Sequence, residues 1–223
     1  ELDRKFQPIH EKHLGAIPNL GFAYGDFLEM PIANLFHGDW QGERIIVGNI
    51  PYSITAKILM KLLDEHEAFS RAYILMQREV ADRLRASEGT KAYSVLTVKL
   101  RCAFDIQSVL RISPRSFLPA PKVESTLVEL TPAQHPLELD RADRSEFFSM
   151  LDGAFGQRRK TLPNSISHSS AGQWSREEVA RALVDIGLLP TARAEELSPE
   201  VFLKLFYLLR ERMGMATFLL RRS

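Results

Sequence analysis

The chain has 223 residues, 45% of them hydrophobic and 26% charged, with 29 Lys and Arg against 28 Asp and Glu. That balance is ordinary for a globular protein; it argues against a chain that binds nucleic acid by bulk charge, while permitting a local basic face. Cys102 is the single cysteine, which excludes a disulfide framework and a cysteine-built metal cluster and points to a reducing compartment. No apolar run approaches the roughly 18 residues of a membrane span.

In chain order, Glu1-Leu2-Asp3 opens the sequence with neither a methionine nor a signal-peptide pattern, so a start inside a domain is expected. Gly21-Phe22-Ala23-Tyr24 leads into Gly25-Asp26 and reads as a short strand ending in a turn. Arg44 to Val47 reads as a second strand, ended by Gly48. From Thr55, Ile58, Leu59, Leu62 and Leu63 recur at helical spacing, with Thr55 placed as N-cap. Ala72 to Met76 is strand-like. The stretch "QREVADRLRA" sets Val80 and Leu84 on one helical face, with Gly89 as its stop signal. Tyr93 to Phe104 fits helix or strand. Ile106 to Ile112 and Ser125 to Leu130 read as strands.

Pro132 and Pro136 then punctuate a polar stretch, and a helical texture follows: Phe147, Phe148, Leu151 and Phe155, then Val179, Leu183 and Ile186, then Phe202, Leu205, Phe206 and Leu209. A domain boundary is placed near residue 136. Strands alternating with helices predict an α/β sheet covered on both faces, followed by a small all-helical part. Ligands of such sheets bind beyond the C-terminal ends of the strands, where both Asp26 and Asn49 fall.

The chemistry concentrates in three stretches. In Asn49-Ile50-Pro51-Tyr52, the Asn49 carbonyl and the Ile50 backbone carbonyl are suited to accept both N–H bonds of a base's exocyclic amine. That would favour a pyramidal nitrogen whose lone pair is free to attack. Pro51 stiffens the loop, and the Tyr52 ring can stack on a base. Taken alone, Asn-x-Pro is equally a common turn former. In "SFLPAPKVESTLVEL" (116–130), two prolines one residue apart stiffen a loop that starts at Phe117, either a platform for a flipped base or a core ring. Lys122 adds a phosphate-seeking charge. In "FGQRRKTLPNSI" (155–166), Arg158, Arg159 and Lys160 would fan around a helix start, as a solvated face or an RNA phosphate contact. The six histidines show no metal spacing and read as surface residues.

Together these stretches resemble the KsgA-type rRNA adenine N6,N6-dimethyltransferases, over residues 1 to about 209. Asn49 to Tyr52 is similar to the family's catalytic motif, and "FLPAPKVES" to the motif whose aromatic residue packs on the target base. "LMQREVADRL" and "KAYSVLTV" match the segments between, and "FGQRRKTLPNSI" the start of the helical domain. The resemblance implies a Rossmann-like class I S-adenosylmethionine methyltransferase sheet, N-terminally incomplete (residues 1–136), and a helical rRNA-binding domain (137–223). It implies catalytic roles for Asn49, Ile50, Pro51, Tyr52 and Phe117. It implies S-adenosyl-L-methionine contacts at Glu1 and Leu2 (ribose), at Gly25, Asp26 and Phe27 (adenine) and at Asn49, and RNA contacts at Lys122, Arg158, Arg159 and Lys160. No metal is implied.

The implied reaction is methyl transfer to N6 of two adjacent adenosines near the 3′ end of small-subunit rRNA. The partners would be rRNA or an assembling 30S subunit, with no membrane, a cytoplasmic location and a monomeric state. The family's glycine-rich loop is expected upstream of Glu1, and the chain as given is expected to bind the cofactor poorly. Erm-type large-subunit methyltransferases, DNA adenine methyltransferases (which usually carry Asp-Pro-Pro-Tyr) and a non-catalytic ribosome-assembly or mitochondrial transcription factor are the alternatives.

Overall fold

The structure, a computed structural model, describes residues 1–17, 20–36, 42–134, 136–137, 139, 141–168 and 173–220; of residues 141, 213 and 215–220 it describes the backbone alone. His37 and His135 lie outside the described residues.

Four strands form one sheet: β1 (Ile45–Asn49), β2 (Arg71–Gln77), β3 (Phe104–Ile112) and β4 (Ser125–Pro132), in the order β1-β2-β4-β3. β1 and β2 are parallel, and β4 runs antiparallel to both of its neighbours, β2 and β3. The C-terminal ends of β1, β2 and β3 therefore share one edge of the sheet with the start of β4. Register states this directly, since Asn49 lies opposite Leu75 while Gln77 and Ile112 both lie opposite Ser125. A β-bulge between Ser108 and Leu110 bends the edge strand β3.

The helix α1 (Gln7–Leu14) precedes the sheet and buries none of its residues. Between strands come α2 (Thr55–Asp64), α3 (Arg78–Leu84) and α4 (Val95–Arg101). α2 buries Ile58, Leu59, Leu62 and Leu63, the helical stripe legible in the sequence, against Ala72, Ile74 and Met76 of β2 and Val128 and Leu130 of β4. Burying side chains of this size stabilises by about 1.5–3 kcal/mol each. The opposite face is different. Ile45 and Val47 are 42% and 76% exposed, and beside them Arg71, Tyr73 and Glu129 form a polar network with Glu43. Coverage of both faces is thus corrected for the described residues: the side chains of Ile45 and Val47 on this second face stay exposed, and α1 buries none of its residues.

Three local expectations also change. Gly21 to Tyr24 is not a strand. The Glu1 α-amino group donates to the Ala23 carbonyl (2.8 Å) and the Glu1 carbonyl accepts from the Gly25 N–H (2.8 Å), and the segment is irregular. Thr55 is the first residue of α2 rather than its cap, because a 3₁₀ turn (Tyr52–Ile54) already leads the chain in. α3 stops at Leu84, five residues before Gly89. There the Thr97 hydroxyl takes the Arg83 carbonyl (2.8 Å) and Arg101 takes that of Ala86 (2.9 Å), satisfying groups that would otherwise continue the helix. Gly89, at φ 77°, serves the turn that follows and donates to the Glu195 carbonyl at 2.7 Å.

The segment Tyr93 to Phe104, which fits either pattern in sequence, is helical at α4 because Ser94 and Thr97 build a capping box. After β4 come α5 (Arg141–Gly156), α6 (Leu162–Ser167), α7 (Arg176–Asp185) and α8 (Pro199–Leu220). The core continues from the sheet helices into these through fully buried Tyr93, whose hydroxyl donates to the Leu197 carbonyl at 2.9 Å. Burial raises that phenol's pKa. Lys99, 9% exposed, pairs with Asp152 at 2.7 Å and lies over the Phe148 ring. Cys102 is buried, its thiol donating to the Val98 carbonyl, and burial pushes its pKa up to about 12, so it packs as a small hydrophobe.

Candidate active site

β1 ends at Asn49 because Pro51 has no N–H to extend a ladder, and its φ of −60° turns the chain into the 3₁₀ turn that starts with Tyr52. Asn49 is exposed, and among the described residues its side-chain amide makes no hydrogen bond. Both amide atoms are therefore available to a ligand. Ile50 packs against the core and anchors the loop. Tyr52 is half-buried, and its hydroxyl meets Ser125 Oγ at 2.7 Å. Ser125 is fully buried at the start of β4.

That bond joins the first loop to the second. After β3, Ser113 Oγ accepts the Arg115 N–H and Pro114 O accepts the Phe117 N–H, forming a 3₁₀ turn that releases the chain at Phe117. Phe117 is half-buried and does not belong to the hydrophobic core, so of the two readings of this ring the packed one does not hold. Leu118 next to it is completely exposed, and the Leu118–Pro119 bond is cis. Lys122 is exposed. The far end of the loop is held by Arg78, whose N–H donates to the Glu124 carbonyl (2.9 Å) and whose guanidinium pairs with the Glu124 carboxylate (2.7 Å).

The acidic residues lie together in a different part of the chain. The Glu1 and Gly25 hydrogen bond brings Glu1 beside the Gly25-Asp26 turn. The Asp3 N–H holds the Glu1 carboxyl below the usual carboxylate range. Asp26 Oδ1 accepts the Leu28 N–H at 2.9 Å, an Asx turn, and its other oxygen makes no hydrogen bond among the described residues. Phe27 packs on the core beneath Lys61 of α2, 5.6 Å from the ring centroid, while Leu2 is 71% exposed. An ionised carboxylate beside a second, half-open one matches the acceptors that a nucleoside's ribose diol and base amine require.

The basic cluster is corrected in one respect. Arg158, Arg159 and Lys160 lie in the turn between α5 and α6, not on a helix. α5 ends at Gly156, and Pro163 inside the first turn of α6 sets the next start. Arg158 points back, donating to the carbonyls of Lys91 (2.6 Å) and Tyr93 (3.1 Å). Arg159 and Lys160 are exposed and make no side-chain bond among the described residues. Arg78, Arg83 and Lys91 join Arg158 along a groove of about 660 Å³ that Glu79 and Asp82 also line, paired with Arg83 and Arg78. Sequence reading missed Ser125 and Arg78 as fastenings of the two loops. Ser125 closes the second motif, but its partner is 73 residues away, and only the β2–β4 register brings the two together.

The strand order, with one antiparallel strand set between parallel neighbours and polar residues gathered at one edge, is that of a class I methyltransferase. Two solved structures are similar to this chain: a dimethyladenosine transferase from Plasmodium falciparum (TM-score 0.72, 24% identity, 92% of this chain and 78% of that one) and the 23S rRNA methyltransferase ErmE (TM-score 0.64, 26% identity, 94% and 80%). Residues 1–211 match the family model described as ribosomal RNA adenine dimethylase, and the chain belongs to that family. Among its relatives is the ribosomal RNA small subunit methyltransferase A of Shouchella clausii, 32% identical over 207 residues, 92% of this chain and 70% of that protein. That of Geobacter metallireducens is 34% identical over 202 residues, 91% and 73%. No helix among the described residues is long and apolar enough to cross a membrane.

Proposed function

We propose that this chain is an rRNA adenine N6,N6-dimethyltransferase acting on two adjacent adenosines near the 3′ end of small-subunit rRNA, with S-adenosyl-L-methionine as methyl donor. The observation that carries the reading is the Tyr52–Ser125 bond. It ties the exposed Asn49 to the loop of Phe117 at one sheet edge, in a chain whose family is defined by this substrate base. Asn49 Oδ1 and the Ile50 carbonyl accept the two N–H bonds of the exocyclic amine, withdrawing its lone pair from the ring. Pro51 keeps these acceptors in place without reorganisation. Tyr52 and Phe117 offer ring faces to the base. The bound cofactor supplies an activated methyl group. Glu1 with Leu2 would hold its ribose and Gly25, Asp26 and Phe27 its adenine, while Asn49 would contact both cofactor and base. No side chain has to remove a proton beforehand, and the Tyr52 hydroxyl is already engaged with Ser125.

In this reading residues 1–136 form the methyltransferase part and 137–223 a helical rRNA-binding part. Lys122, Arg159 and Lys160 are set against phosphate. The setting is cytoplasmic, on rRNA or an assembling 30S subunit, with a monomeric enzyme. A large-subunit target of the Erm type is not favoured, since the Shouchella and Geobacter relatives are named for the small subunit. Disrupting the gene in its host and mapping dimethyladenosine in small-subunit rRNA by mass spectrometry tests the proposal. Loss of both modified adenosines, restored by the intact gene but not by one carrying Asn49→Ala, is expected. Unchanged small-subunit rRNA, or loss confined to large-subunit rRNA, would overturn it.

A further inference from the structure

Leu118 is 101% exposed, more than any other large hydrophobic side chain among the described residues. A single exposed leucine ordinarily needs no explanation, but this one sits on a loop built to hold it out. Pro119 and Pro121 stiffen the chain after it, and the 3₁₀ turn Pro114–Ser116 fixes the chain before it. The Arg78 bonds to Glu124 close the loop at its base. Its neighbour Phe117 is the ring proposed for the target base, and Val123 adds a second apolar side chain, 44% exposed. Along residues 111–124 the unpaired charges have one sign. Arg111, Arg115 and Lys122 are exposed and form no ion pair among the described residues, while Glu124 is neutralised by Arg78. An apolar tip among unpaired cations suits a polyanion with apolar interior faces, which describes stacked nucleic acid bases between phosphates.

We propose that Leu118 is a wedge. It enters the stack of a structured RNA at the position the target adenine vacates, so that Phe117 holds the extruded base while Leu118 occupies the gap. A base leaves its stack at a cost of a few kcal/mol, and apolar side chains inserted between base steps are one way proteins offset it. The inference rests on the methyltransferase reading above, with the target adenine extruded onto Phe117, and goes beyond it by giving Leu118 a contact with the neighbouring base rather than the target.

The test uses the full chain and RNA hairpins carrying two adjacent adenines, with the fluorescent base 2-aminopurine in place of the target. Extrusion is read as the rise in fluorescence at saturating protein. With wild-type protein a several-fold rise is expected. Leu118→Ala should lower the extrusion equilibrium about tenfold, the scale of one stacking interaction, and Leu118→Phe should restore it. On a hairpin whose neighbouring base is an abasic site, so that the target is already unstacked, Leu118→Ala and wild type should match. Melting temperature should not move, because the side chain touches solvent alone. A wild-type rise from Leu118→Ala on the stacked hairpin would sink the wedge and leave the methyltransferase reading standing. An equal deficit on both hairpins would also sink it, as a general weakening of RNA binding. Absence of any rise with wild-type protein would remove the base-extruding reading and the wedge together.

Discussion

Replacing Arg158 by Gln separates two roles that adjacent arginines have in this structure. The Arg158 guanidinium donates to two backbone carbonyls, Lys91 at 2.6 Å and Tyr93 at 3.1 Å, and so fastens the α5–α6 turn to the segment that precedes α4. Hydrogen bonds from a charged donor contribute about 1.5–3 kcal/mol each when sheltered and less at a wet surface. One of these two is exposed and the other partly buried, so about 1–2 kcal/mol in total is expected. For a chain of this length that corresponds to a fall in melting temperature of about 2–8 °C. Arg159→Gln and Lys160→Gln should leave the melting temperature alone, since neither side chain has a partner among the described residues. They should instead weaken RNA binding, and the slope of log affinity against log salt should shrink by about 0.7–0.9 for each phosphate no longer neutralised. Calorimetric melting of the three single variants, with filter-binding titrations across a salt series, reads both quantities. If Arg158→Gln melts like wild type while flattening the salt slope as much as Arg159→Gln, the fastening role is wrong and all three residues face phosphate.

Asn49→Ala should reduce methyl transfer in the intact enzyme by about a hundredfold or more, the scale for one preorganised polar group, with an unchanged melting temperature because the side chain is exposed; steady-state kinetics beside a thermal melt check it. Phe117→Ala should weaken binding of an RNA with an unstacked target adenine by about 1–3 kcal/mol, and as the ring lies outside the core, a melting loss typical of a core phenylalanine would count against the platform role. Ser175→Ala should cost about 1 kcal/mol by removing the capping box of α7, measurable by urea denaturation. Glu178, the other half of that box, has its carboxyl lowered chiefly by the Ser175 N–H and then by the Ser175 hydroxyl. Its folded value lies below its unfolded one, so its stabilisation is present above the ordinary carboxylate value of 4.5 and is lost as pH falls through the lowered value. Urea midpoints of wild type and Glu178→Gln should therefore converge at acid pH.

Much of the architecture could be read from local sequence because the signals are local. Hydrophobic spacing at Ile58, Leu59, Leu62 and Leu63 marks the buried stripe of α2, and β-rich runs at Ala72 to Met76 and Ser125 to Leu130 mark the two central strands. Asn49, Pro51 and Tyr52 stood out for the same reason, since a strand ending in those residues has a polar and rigid terminus whatever lies around it.

Tertiary structure decided the rest. Whether Gly21 to Tyr24 forms a strand depends on a paired neighbour that the segment itself does not specify. Where α3 stops depends on Thr97 and Arg101, 14 and 15 residues beyond the carbonyls they take. The division of labour in Arg158-Arg159-Lys160 depends on two carbonyls more than 60 residues upstream. The joining of the two motif loops depends on a hydroxyl pair 73 residues apart, aligned by the register of β2 with β4. Side-chain periodicity and chain stiffness are set by neighbours within a few residues, so the sequence alone carries them. Hydrogen-bond partners and burial are set by whichever segments the fold makes adjacent, and the identity of one residue says nothing of who that neighbour will be.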